Sequence, residues 1–198
     1  MDDGYFVILS EHYRWYQSSR EFEDVRDGRR YPDSLYSSKV DVYDDRVRTW
    51  FLDLAIRETA AGSSPGDYVA LLVALAYIEG VEQYRRGKPP PWGEAGKWFE
   101  ASARRVFPTA PEEAIRRLWT AVRCGLFHSG FTEGLTLLSQ TFDQALEVSG
   151  GYLRVNPAKF VRSVFDDFEA YVRELRANPF GELANQFVTL WDKRWDEA

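Results

Sequence analysis

Arg123 and His128 are the two residues of this 198-residue chain whose types and spacing most readily suggest chemistry. Histidine exchanges a proton near neutral pH. Arginine presents a fixed fork of donors that matches phosphate oxygens. Four residues separate the two, Cys124-Gly125-Leu126-Phe127. In a chain with 20 Arg and 2 His that spacing carries little by itself, and its weight comes from the setting. Ile115, Leu118, Trp119, Val122 and Leu126 recur at the interval of one helix face. Arg116, Thr120 and Arg123 fall on another face of that helix. Gly125 and Gly130 lie toward its end, and His128 sits where the last turn should fray.

The elements around the pair must hold it. Thr109 with Glu112 fits a capping box for the helix, and Pro111 fits its first turn. The spacing predicts a helix over 66–86 whose run from Val69 to Ile78 leaves little polar surface, so this helix should be central. Glu79 follows that run and shares a face with Leu72 and Leu75. A carboxylate there needs a cationic or hydrogen-bonding partner. Arg123 is one candidate, and water or a backbone cap is the other.

Further helices are predicted over 42–61, with Val47, Trp50, Phe51, Leu54 and Ala55 inward, and over 94–106, with Trp98 inward and Arg104-Arg105 outward. Asn156-Pro157 starts another over 157–177, and a last one runs over 180–196 with Phe180, Leu183, Phe187, Leu190, Trp191 and Trp195. Ser64-Pro65 reads as a cap and first turn. Leu135 to Ser139 suits a short strand, and 145–155 alternates around Ser149-Gly150-Gly151 as a β-hairpin. Residues 4–26 show a weak helical stripe of Phe6, Leu9, Tyr13 and Tyr16, and 27–40 reads as a loop. The mixed aromatic and basic run Tyr13, Arg14, Trp15, Tyr16, Arg20 suits either base stacking or packing on the bundle, and packing is the simpler reading. His12 shows no partner in sequence. The fold class is therefore mainly α: an antiparallel helical bundle with a small β-hairpin between the motif helix and the C-terminal helices. Residues 1–40 form an N-terminal helix and loop on a helical domain over 41–198.

Composition bounds the function. Hydrophobic residues make up 44% and aromatics 16%, enough for a packed core. The single cysteine, Cys124, precludes an internal disulfide and fits a reducing compartment. One Cys and two His do not make a zinc centre, and no glycine-rich phosphate loop is present, so no cofactor or metal is expected. Met1-Asp2-Asp3-Gly4 lacks a basic start, and the longest apolar run is too short to span a bilayer. The expectation is a cytoplasmic chain without membrane contact. Net charge is −6, against broad nucleic-acid binding, yet residues 81–130 carry nine basic and five acidic groups. Segments 1–80 and 131–198 are net acidic, so the one basic segment contains Arg123 and His128.

Over roughly 66–131, and more loosely over 40–178, the sequence resembles the HEPN superfamily, whose signature is Arg, four to six residues, then His at the end of a late helix in an α-helical bundle. Arg123-Cys124-Gly125-Leu126-Phe127-His128 matches it. The resemblance implies a homodimer with the motif helices near its two-fold axis. It also implies a metal-independent endoribonuclease, in a toxin with an antitoxin protein partner or in an antiphage system. His128 would then exchange protons with the 2′-hydroxyl or the leaving oxygen, Arg123 would stabilise charge on the phosphate, and Arg116, Arg117 and Thr120 would hold RNA. Glu79 would support Arg123. Many active members carry Asn or Asp after the arginine, where this chain has Cys124. The rival reading is a silent HEPN-like module that binds RNA or dimerises. The blandest is an Arg123–Glu79 ion pair with His128 as a helix C-cap.

Overall fold

A computed structural model describes residues 5–196, except for the side chains of residues 195 and 196. Met1–Gly4, whose acidic character entered the sequence reading, and the side chain of Trp195 lie outside that description. The protein is mainly α, with two sheets rather than one hairpin.

The chain opens as four antiparallel strands in sequential order: β1 (Phe6–Ile8), β2 (Tyr13–Tyr16), β3 (Glu21–Asp24) and β4 (Arg29–Pro32). This replaces the helix expected over 4–26 and part of the loop over 27–40. The helical spacing of Phe6, Leu9, Tyr13 and Tyr16 is coincidental. The stronger signal is alternation about an Asp-Gly turn: Phe22 is buried between Glu21 and Glu23, and Gly28 takes a positive φ of 71° after Asp27. Aromatic and β-branched side chains suit a half-buried pleated surface. The sheet docks through Phe22, whose ring meets Trp191 edge-on at 6.4 Å. Trp15 also faces inward, its indole donating to Asp33. His12 is not without a partner: its backbone N–H and Nδ1 lie 3.0 and 2.8 Å from the two oxygens of Asp45.

The bundle begins with α1 (Tyr36–Val47), a π turn over Arg48–Leu52, and α2 (Asp53–Ala60). The wide turn rotates the helix face. Val42, Tyr43, Leu52 and Ala55 are buried, while Trp50 and Phe51, expected inside, remain about one-third exposed. The central helix is α3 (Ser64–Arg86), capped by Ser63 rather than Ser64 and closed by Gly87 at φ 64°. It packs on α2, on α4 (Ala95–Val106), and on α7 (Pro157–Ala177) and α8 (Glu182–Asp196). The core is aromatic, as the composition indicated. The Tyr43 ring lies 4.8–6.3 Å from Tyr84, Phe168, Tyr171 and Phe187. Arg105 does not face outward. It reaches into the bundle to Asp167, Glu82 and Ser102, and Tyr77 donates to the same Asp167. Phe180, assigned to the stripe of the last helix, precedes α8 and is exposed.

The motif helix comprises α5 (Glu112–Arg117), a second π turn over Leu118–Arg123, and α6 (Cys124–Ser129). Its N-cap is Pro111 without a side-chain cap bond, so the capping box of Thr109 and Glu112 does not form; Glu112 instead pairs with Arg104 at 2.8 Å. Next come β5 (Thr136–Leu138), β6 (Leu146–Ser149) and β7 (Tyr152–Val155). β6 and β7 form the expected hairpin, and β5 adds to β7 in parallel. Asn156 caps α7 by accepting from the Lys159 N–H.

Candidate functional site

Four elements build the surroundings of Arg123: the π turn, α6, α4 and α3. The π turn ends at this residue, with the Cys124 N–H bonded to the Trp119 carbonyl five positions back. Trp119, Arg123 and Phe127 are four apart and form one stripe. The guanidinium carbon lies 4.9 Å from each of the two ring centroids, so the cation is held between two aromatic faces. Trp119 is fixed in turn by α4: its ring meets Phe99 at 5.2 Å, and a Cβ on Gly96 would come within 2.9 Å of its indole nitrogen. Across the bundle, α3 presents Glu79. Arg123 donates from Nε at 2.9 Å and from Nη2 at 2.7 and 3.0 Å to the two carboxylate oxygens. The side chains retain 17% and 25% of their exposure, a largely shielded pair that water still reaches.

Of the two partners weighed for Glu79, Arg123 is therefore the one it meets. The pair consumes Nε and Nη2. Nη1 has no hydrogen-bond partner among the described residues, which leaves one edge of a rigidly held guanidinium open to a further acceptor.

His128 lies one residue beyond Phe127, so Phe127 and not His128 stacks on Arg123. The imidazole is exposed in the last turn of α6, just before Gly130 closes the helix at φ 75°. None of the described residues hydrogen-bonds its side chain. The bend behind it depends on Gly125. A Cβ there would overlap the Phe131 carbonyl oxygen and come within 3.0 Å of the Glu133 nitrogen, where the chain folds back with Glu133 N–H bonded to the Ala121 carbonyl.

The other predicted site residues separate. Arg116 and Thr120 are exposed together, the threonine hydroxyl donating to the Arg116 carbonyl. They do not share a face with Arg123, which turns in toward α3. The expectation of a single face for all three assumed a regular helix, and the π turn lies between them. Arg117 is engaged structurally, pairing with Glu113 at 2.7 Å and donating to the Gly151 carbonyl in the hairpin turn. Cys124 is partly exposed.

The basic segment is less open than its net charge suggests. Arg86, Lys97, Arg104, Arg105, Arg117 and Arg123 each meet a carboxylate. Arg85, Lys88 and Arg116 have no carboxylate partner among the described residues. Sequence reasoning missed the aromatic clamp of Trp119 and Phe127, although their spacing of four from Arg123 was a usable signal. Among the described residues no group of three or more His, Cys, Asp or Glu side chains is arranged to hold a metal ion, and no helix is long and apolar enough to cross a membrane. The chain matches no family model, no curated protein and no solved structure.

Proposed function

We propose that the protein is a HEPN-like endoribonuclease that works without a metal ion and acts as a homodimer. The observation that carries the reading is the clamped guanidinium of Arg123, with one free edge, at the π turn that leads directly into the short helix carrying an exposed histidine. In this scheme the 2′-hydroxyl of a ribose attacks the adjacent phosphorus. His128 of one protomer takes the hydroxyl proton. The bond from phosphorus to the 5′-oxygen breaks, and the partner's His128 donates a proton to that oxygen. The products are a 2′,3′-cyclic phosphate and a 5′-hydroxyl. Arg123 supplies Nη1 to the non-bridging oxygens as charge grows on them, and its clamp spares it reorganisation during the step. Arg116 and Thr120, open on the surface, suit the flanking phosphates. Phe127, Phe131, Leu135 and Leu137 are all exposed on the segment around His128, an apolar stretch suited to a two-fold contact. A toxin or antiphage setting, with an antitoxin covering this face, belongs to the same proposal.

A second reading is favoured by one observation. Glu79 neutralises Arg123, which weakens its draw on a phosphate and suits a module that binds RNA or dimerises without cutting. RNA incubated with the protein, with and without EDTA, separates the two. The endoribonuclease yields cyclic-phosphate ends in both conditions, lost in Arg123→Ala and His128→Ala variants that still fold. Binding without cleavage, dependent on Arg116 and Arg123, establishes the silent module.

A further inference from the structure

A second feature lies on the other side of α3, in a cleft of about 370 Å³ between α1, α3 and α8. That volume falls in the range of small-molecule sites. Its walls are largely apolar or aromatic, with Tyr43, Phe51, Ala76, Val81, Tyr84 and Trp191 among them. Two guanidiniums also line it, Arg46 from α1 and Arg194 from α8. Neither meets a carboxylate among the described residues. Arg46 donates to the Leu9 carbonyl at 2.9 Å and stacks on Trp50. Arg194 lies over Tyr84 and donates to its hydroxyl and to Gln83. Both act on one phenol: burial pushes Tyr84 up, and both guanidiniums pull against that shift. Arg46 is half-buried and Arg194 exposed, so the two guanidiniums stand beside the apolar walls with their charge unmatched by a carboxylate and open to an anionic head group.

The cleft is also kept open by a glycine. Gly80 lies in the interior of α3, where glycine is less favourable than alanine. A Cβ at this position would meet nothing within 4 Å. Packing of the fold therefore does not require a glycine there, and a side chain at 80 would stand in the cleft that this residue lines.

We infer that this cleft binds a small amphiphilic carboxylate, its apolar body against the aromatic walls and its head on Arg46 and Arg194. This goes beyond the proposed ribonuclease reading and does not depend on it. The test is calorimetric titration of the full chain with decanoate below its micellar range, and with decanol as the uncharged probe. Decanoate is expected to bind at least tenfold tighter than decanol. Arg194→Gln, a change at an exposed position, should weaken decanoate at least tenfold and leave decanol unchanged. Gly80→Leu should abolish both while its melting temperature stays equal to or above that of the wild type. The inference is overturned if decanoate does not bind, if it binds no better than decanol, or if folded Gly80→Leu binds it as the wild type does.

Discussion

Replacing Glu79 with Gln keeps the shape of the side chain and removes its charge. Arg123 now makes three hydrogen bonds to the carboxylate, between 2.7 and 3.0 Å. The amide retains one acceptor oxygen and turns an NH2 toward a cation. Hydrogen bonds to charged groups contribute about 1.5–3 kcal/mol each net. Breaking a fully buried pair costs about 3–5 kcal/mol. With 17% and 25% of the side chains exposed, water recovers part of that loss. We expect a destabilisation of about 2 kcal/mol, at the lower end of these ranges. For a chain of this size that lowers Tm by about 4–8 °C. Arg123→Met, whose apolar side chain can occupy the slot between Trp119 and Phe127, completes a double-mutant cycle with Glu79→Gln. Thermal melts followed by circular dichroism should give a coupling energy of about 1–2 kcal/mol. An unchanged Tm in Glu79→Gln, or strictly additive single variants, would show that the pair holds nothing together and that the aromatic rings alone position Arg123.

Gly125→Ala should destabilise the motif by about 2 kcal/mol or more, since its Cβ would be driven into the Phe131 carbonyl and the backbone there cannot yield cheaply; denaturant unfolding with wild-type stability would refute the close approach. The dimer is tested by light scattering after size-exclusion chromatography, where a 22.9 kDa species at tens of micromolar would sink the two-histidine mechanism. Hydrogen bonds from Arg26 hold the Asp24 carboxyl below its usual range. That stability is present above the ordinary aspartate pKa and disappears as pH falls through the lowered one. Asp24→Asn should therefore cost stability at neutral pH and none once the wild-type carboxyl is protonated, so equal losses at both pH values would argue against the pairing.

Much of the bundle is legible in the sequence because long helices announce themselves through periodicity. The run Val69 to Ile78 identifies the central helix, the Asn156-Pro157 pair starts α7 where it begins, and Ser149-Gly150-Gly151 marks the hairpin turn. The N-terminal sheet was missed because its strands have only three or four residues, too few to distinguish period two from a partial helical stripe. Sequence could also name Arg123, His128 and Glu79 as residues with chemistry to offer. It could not say where the guanidinium points. That was decided by the π turn over Leu118–Arg123, which changes the register between Arg116 and Arg123, and by the closeness of α3, which places a carboxylate 44 residues away within 2.7 Å. The free charge of the basic segment was partly local, since Arg86, Lys97 and Arg117 pair with acids three or four positions back, and partly tertiary, since Arg104, Arg105 and Arg123 meet acids on other helices. Side-chain type is local, but pairing depends on which elements the core brings together.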